Sequence, residues 1–356
     1  MTRCLGILTG GGDSPSLNAV IRAVTTRATL GHGWTVVGIE HGFRGLVEGL
    51  TQRLDLTRVR ELLPRGGTIL GASNRSNPFQ YPVKSAGRVQ AQDLSQRALA
   101  NLAALGLDDV IAVGGDGTME IARRLVERGA RIVGVPKTID NDLAATDTTC
   151  GYQTAVAVVT EALDRLRTTA ESHDRIMLCE VMGRYAGWIA LEGGIAGGAD
   201  AILIPEIPYQ IERVVELCAG RPSTLVVVAE GARPAGGQRA VVRAADATRP
   251  EKLGGAAERL AVELGALLPE HDARVTVLGH VQRGGTPVAV DRVLATRFGV
   301  AAVDLVAAGE TGVVVVQRGR GLAAVPMSEV CQGAKLVDPA GELVRTARAL
   351  GVVLGD

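Results

Sequence analysis

Seven consecutive residues, Pro136-Lys137-Thr138-Ile139-Asp140-Asn141-Asp142, carry two carboxylates, a hydroxyl and an ammonium. They follow the apolar run 132–135, which reads as a buried strand. Open α/β sheets place their chemistry at such strand ends. A carboxylate there can take a proton from an acceptor hydroxyl. One or two carboxylates, with phosphate oxygens and water, also suit magnesium. Asn and Asp favour plain turns as well, so the D-N-D stretch alone fits either a turn or a site. The balance shifts with a second strand end of the same kind, Gly114-Gly115-Asp116-Gly117-Thr118 after the run 110–113. Asp116, Asp140 and Asp142 can then share proton abstraction and metal holding. Phosphoryl transfer needs little more than positioning, a metal and cations on the transferred group.

A third glycine turn, Gly10-Gly11-Gly12-Asp13-Ser14-Pro15, lies between the apolar strand 4–8 and a helix over 16–30. Strand, glycines and helix start make a phosphate cradle, because unpaired N–H groups face an anion that no Cβ obstructs. It matches neither the dinucleotide fingerprint nor a Walker A sequence. Gly66-Gly67-Thr68-Ile69-Leu70-Gly71 leads into a polar loop whose Arg75 could fork onto a polyphosphate. A separate basic set follows two later strands. Met182-Gly183-Arg184 ends the strand 175–180, while Arg274, His280 and Arg283 flank the end of the strand 274–278. His and Arg three apart beyond a strand suit a phosphate monoester.

The elements that must hold these groups alternate strand and helix along the chain. Strands are expected at 35–39, 201–204 and 225–229 besides those above, and helices at 95–105, 118–128, 151–171, 185–193, 210–219, 256–268 and 291–308. The stretch 231–250, rich in Gly, Ala, Arg and Pro, reads as a connector. This alternation predicts an α/β chain of two doubly wound lobes with largely parallel sheets. Its 356 residues suit one large domain or two ordinary ones, with a composition break near Cys150. Apolar residues make up 46% and aromatics only 3%, so the core must be chiefly Leu, Val, Ile and Ala. A net charge of zero offers nothing to nucleic acid or an anionic membrane, so anionic substrates must meet local clusters. Five cysteines without a C-x-x-C suggest reduced thiols and a cytoplasmic setting, and no run is apolar enough to span a bilayer.

Taken together, Leu8-Thr9-Gly10-Gly11-Gly12-Asp13-Ser14-Pro15, Gly114-Gly115-Asp116-Gly117-Thr118, the 136–142 motif, Glu180-Val181-Met182-Gly183-Arg184 and the segment 278–285 resemble the 6-phosphofructokinase family in type, order and spacing. The resemblance runs from about residue 3 to about residue 350. It implies a phosphofructokinase-like fold: a donor-binding lobe of 1–150 plus about 285–332, and a sugar-phosphate lobe of about 151–284 plus about 333–356. It implies magnesium-dependent phosphorylation of the 1-hydroxyl of fructose 6-phosphate, a step of glycolysis. By motif match Asp140 is the general base, Thr138 positions substrate and Arg184 steadies the transferred group. Asp116 holds magnesium, with Asp142 nearby. Gly11, Arg75, Gly115, Asp116, Gly117, Thr118 and Lys137 fall to the donor. Thr138, Asp140, Met182, Gly183, Arg184 and Glu230 fall to the sugar, and His280 and Arg283 to its 6-phosphate. Arg175 and Arg274 match positions that reach a neighbouring subunit's site, implying a homodimer or homotetramer.

Two positions pull the donor assignment in opposite directions. Gly117 leaves room for a nucleotide α-phosphate and favours ATP, whereas Lys137 resembles the pyrophosphate-dependent members. A lysine can swing aside more readily than a carboxylate can be tolerated, so ATP is expected and pyrophosphate is the alternative. Ile121 could crowd the nucleoside, and Asn74, inserted before Arg75, loosens that carry-over. A catalytically silent sugar-phosphate or nucleotide sensor is a further alternative, disfavoured by the intact Asp140, Asp116 and Arg184. Sedoheptulose 7-phosphate is a possible second acceptor, since one carbon is discriminated by only about 1–3 kcal/mol.

Overall fold

The computed structural model describes residues 3–85, 88–243 and 252–356. The chain divides into two compact units. Unit 1 comprises Met1–Ile139, Leu143–Gln153 and Arg283–Gly333; unit 2 comprises Asp140–Asp142, Thr154–Gln282 and Ala334–Asp356. The division runs through the 136–142 motif, so Thr138 and Asp140 fall to different units.

Unit 1 is built on strands β1 (Cys4–Thr9), β2 (Thr35–Ile39), β3 (Thr51–Leu54), the hairpin β4 (Tyr81–Ser85) and β5 (Arg88–Gln92), β6 (Asp109–Gly114) and β7 (Ile132–Pro136). Unit 2 contributes β8 (Arg175–Val181), β9 (Ala201–Leu203), β10 (Thr224–Ala229), the short pair β11 (Val241–Arg243) and β12 (Lys252–Leu253), and β13 (Asp272–Val277). The chain then returns to unit 1 with β14 (Val313–Arg318) and β15 (Gly321–Pro326).

The sheet of unit 1 has seven strands in the order β15-β14-β7-β6-β1-β2-β3. Its five middle strands run parallel, and β3 and β15 close the two edges antiparallel. From β1 the chain moves to β2 on one side and later returns to β6 on the other. The carboxyl ends of β1 and β6 are therefore the switch point, where doubly wound sheets open a crevice for ligands.

Both faces of this sheet are covered. Ile7, Ile111, Val113, Val133 and Val135 join one buried cluster with Leu17, Val20, Val24 and Phe298 from the helices Leu17–His32 and Ala289–Ala307. Leu8, Val110, Ala112, Ile132 and Val316 alternate to the other face with Met119, Ala122 and Leu125. Period-two alternation with both faces apolar is what a buried parallel sheet requires. Unit 2 repeats the plan on four parallel strands, β13-β8-β10-β9. Ile176, Leu178, Val226 and Val228 pack on Val214, Leu260 and Leu264.

The expected alternation is present, with shifted element ends. The helix expected over 185–193 begins only at Trp188, because the carboxyl end of β8 continues as a turn through Gly187. β3, the hairpin β4–β5, the pair β11–β12 and the strands β14 and β15 are additions to the expected set. Within the expected connector 231–250, residues 244–250 lie outside the described residues, and β11 occupies 241–243. All five cysteines are free thiols, and no helix among the described residues is long and apolar enough to cross a membrane.

Candidate active site

Two glycine turns stand side by side at the switch point of unit 1. β1 and β6 pair in parallel with Thr9 opposite Val113, so Gly10 and Gly114 leave the sheet together. The Gly10 N–H still donates to the Val113 carbonyl at 2.8 Å. Thr118 is wedged between them, only 4% exposed. A Cβ on Gly10 would meet Thr118 Oγ1 at 2.5 Å, and one on Gly114 would come closer still. Thr118, read from the sequence as a donor residue, has its side chain packed between the two turns and sets their spacing.

Beyond Gly114 the helix Asp116–Val126 starts at the crevice, with Asp116 and Gly117 both exposed. The Gly117 N–H donates to Asp116 Oδ1 at 2.6 Å, which engages one carboxylate oxygen. A Cβ on Gly117 would find nothing within 4 Å. That is the open room the sequence suggests at this position. Ile121 does not take up that room, because its half-buried side chain packs on the sheet cluster.

Lys137 differs from its expected behaviour. Its side chain is 3% exposed, and Nζ donates to the Gly10 carbonyl at 3.0 Å and to the Gly12 carbonyl. It is held, so it does not swing. Gly11, at φ +75°, donates its N–H to the Ser73 carbonyl at 3.2 Å. The same Ser73 accepts the Arg75 N–H on its hydroxyl at 3.3 Å, which joins the Arg75 loop to the glycine turn. Arg283 also belongs to unit 1. Its guanidinium donates to the Asp13 carbonyl at 3.1 Å and lies 2.9 Å from where a Gly12 Cβ would stand. The sequence pattern groups Arg283 with His280, yet His280 falls to unit 2 and is exposed. Thr138 has its carbonyl held by the Thr149 hydroxyl at 2.6 Å.

In unit 2 the parallel pair β8–β10 brings Val181 opposite Ala229, so the Met182–Arg184 turn and Glu230 emerge together. The Glu230 N–H donates to Val181 at 2.9 Å and the Gly231 N–H to Gly183 at 3.2 Å. Gly183 sits at φ +141° with room for no side chain, since a Cβ would meet the Ala186 carbonyl at 2.9 Å. The Arg184 guanidinium lies 5.8 Å from the Tyr185 ring centre. Arg175 and Arg274 converge on Asp272 at 2.8 and 2.9 Å, on the edge strand β13 and its neighbour.

Three residues support the site through hydrogen bonds that the sequence does not reveal, although Glu180 and Gln282 lie inside the 180–184 and 278–285 segments. Gln282, fully buried, accepts the Met182 N–H at 3.3 Å and donates to the Gly279 carbonyl at 3.1 Å. The Lys335 N–H holds the Asp142 carbonyl at 2.7 Å, and the Lys335 carbonyl takes the Trp188 indole N–H at 2.8 Å. Glu180, 3% exposed inside β8, accepts the N–H groups of Gly255 and Ala257 at 3.2 and 3.0 Å, at the start of the helix Ala256–Leu267. Desolvation raises its pKa, opposed by those N–H groups. Apart from the Gln282–Gly279 bond, these partners lie 75 residues or more apart, beyond any local motif. Among the described residues no group of three or more His, Cys, Asp or Glu gathers as a metal cluster. A magnesium site here would rest on one or two carboxylates completed by phosphate.

Fold and turns define a doubly wound α/β protein with a phosphate-type cradle at its switch point. The phosphofructokinase family model matches residues 4–306, and the chain belongs to the phosphofructokinase family. It is 50% identical over 99% of its length to the ATP-dependent 6-phosphofructokinase 2 of Clostridium perfringens, covering 98% of that protein. It is 51% identical over 94% of its length to the pyrophosphate–fructose 6-phosphate 1-phosphotransferase of Amycolatopsis methanolica, covering 96% of it. The phosphofructokinase structure from Saccharomyces cerevisiae superposes with a TM-score of 0.76 at 34% identity, over 93% of this chain and 45% of that one.

Proposed function

We propose that this chain is a 6-phosphofructokinase that moves the γ-phosphoryl group of ATP to the 1-hydroxyl of fructose 6-phosphate. The observation that carries the reading is the pair of glycine turns, Gly10–Gly12 and Gly114–Thr118, side by side at the switch point of a sheet in this family. Asp140 takes the hydroxyl proton as the 1-oxygen attacks the γ-phosphorus in line, and ADP leaves. Thr138 positions the acceptor, and Arg184 balances charge on the group in flight. Met182, Gly183 and Glu230 hold the sugar, and His280 and Arg283 serve its 6-phosphate. Gly11, Arg75, Gly115 and Gly117 serve the donor. The residue types suit magnesium: Asp116, exposed at a helix start beside the glycine turns, would hold it with Asp142 as a second carboxylate, and the ion would neutralise charge on the donor phosphates.

ATP is favoured over pyrophosphate because Gly117 stands in open space and Ile121 is turned into the core. The second reading, pyrophosphate-dependent transfer by the same residues, is kept alive by the Amycolatopsis relative and by Lys137. Arg175 and Arg274, gathered on the edge strand β13 and its neighbour β8, would complete a neighbouring subunit's site in a homodimer or homotetramer. Free thiols throughout suit a cytoplasmic enzyme. The test is the initial rate with fructose 6-phosphate and magnesium, with ATP and pyrophosphate assayed separately. Turnover with ATP supports the proposal, turnover with pyrophosphate alone replaces it by the second reading, and turnover with neither removes both.

A further inference from the structure

The geometry points to Lys137 as a positioning residue that presents the first glycine turn to the donor's phosphates without touching them. This rests on the reading that unit 1 binds a phosphoryl donor. The Lys137 ammonium lies beneath the turn, bonded to the carbonyls of Gly10 and Gly12, with its stem buried to 3% exposure. The Lys137 backbone is fixed as well, its N–H donating to the Gly114 carbonyl at 2.9 Å. One residue thereby ties the first glycine turn to the second.

The consequence follows from the planar peptide. In a trans peptide the N–H points opposite to the C=O, and the described chain has no cis peptide. A Gly12 carbonyl drawn down to Lys137 turns the Asp13 N–H away from the ammonium. The Gly11 N–H is already spent on Ser73, whereas the Asp13 N–H has no partner among the described residues. Arg283 acts the same way one peptide further on, through the Asp13 carbonyl. With the buried Lys137 and the half-exposed Arg283 on the carbonyl side, the Asp13 N–H faces outward over positive charge, the arrangement that receives phosphate. Without the ammonium, the Gly10 and Gly12 carbonyls lose this partner, and the Gly12–Asp13 peptide is no longer held with its N–H outward. The family-level reading of this lysine as a direct donor contact is thereby replaced by an action through the turn.

The test begins with wild type, whose KM for donor and for fructose 6-phosphate, kcat and ADP inhibition constant are measured. Lys137→Met keeps the stem and removes the ammonium. The expected result is a donor KM raised at least tenfold, the ADP constant raised by the same factor, and a fructose 6-phosphate KM within twofold. Lys137→Ala should behave alike and recover on adding n-propylammonium, which replaces the deleted atoms, but not tetramethylammonium, which has no N–H. A folded Lys137→Met with unchanged donor KM overturns the proposal. So does a donor KM that rises while ADP binding is spared, which would mark direct contact with the transferred group, or a rise in both KM values without rescue. If the variants do not fold, amide exchange in wild type decides: saturating ATP or pyrophosphate must protect the Asp13 amide, and no protection overturns the proposal. Wild type that turns over no fructose 6-phosphate yet shows this protection would sink the functional reading alone.

Discussion

Replacing Gly117 with aspartate separates what the donor turn costs the fold from what it does for the donor. Gly117 is the second residue of the helix Asp116–Val126, is exposed, and has nothing within 4 Å of where a Cβ would stand. Packing therefore offers no penalty. Glycine is among the poorest helix residues, and an acidic residue in the first turn meets the positive end of the helix dipole, which contributes about 0.3–1 kcal/mol. Repulsion from Asp116 offsets part of that gain, so Gly117→Asp should unfold in urea within about 1 kcal/mol of wild type, on the stable side. The donor meets the opposite effect. A carboxylate about 4 Å from a nucleotide α-phosphate costs about 1 kcal/mol in water and about 4 kcal/mol near a protein surface. The kcat/KM for ATP should then fall by about 5- to 700-fold, at 1.4 kcal/mol per tenfold, with the fructose 6-phosphate KM unchanged. Steady-state kinetics with ATP varied at saturating sugar phosphate reads the first quantity, and the converse experiment reads the second. A folded Gly117→Asp enzyme that uses ATP within twofold of wild type would refute the assignment of this position to the donor.

Asp140→Ser should keep the urea midpoint and the binding of both substrates while kcat drops by about 10²–10⁴, as expected for loss of a general base; near-normal kcat in a folded variant would remove Asp140 from that role. Gly114→Ala forces a methyl onto Thr118 and should cost about 1–3 kcal/mol in denaturant unfolding, whereas an unchanged midpoint would mean that Thr118 does not wedge the turns. Glu180 has a pKa raised above the ordinary value of 4.5 by desolvation. Its contribution to stability is therefore fully present below that value and is lost as pH rises through the folded-state pKa. Relative to Glu180→Gln, wild type should lose melting temperature on going from pH 4.5 to neutrality, and a pH-independent difference between the two would contradict this.

Much of the site was legible because its signals are local. The glycine turns, the 136–142 motif and the Met182–Arg184 turn each follow an apolar run, and strand periodicity locates strand ends. The structure placed all of them at carboxyl ends of parallel strands, with Gly10 beside Gly114 and Met182 beside Glu230. Elements with weaker local signals were missed. The hairpin β4–β5 mixes Pro, Lys, Arg and Gln with few apolar residues, whereas β14 carries four valines in a row, a strand signal that the expected set passed over, and is paired to β15 by a turn of Gly319 and Arg320.

Sequence alone determined the α/β class and the family and nominated the residues for the chemistry, because phosphate handling demands particular residue types at particular spacings along one stretch of chain. It could not determine what those residues touch. Thr118 is a wedge because two glycines from separate strands close on it, and Ile121 packs on the core because its helix face meets the sheet. Lys137 is held beneath the first glycine turn by carbonyls 125 and 127 residues away. Burial and hydrogen-bond partnership are properties of segments distant in sequence brought together, so the tertiary structure alone decided that this lysine is fixed rather than mobile.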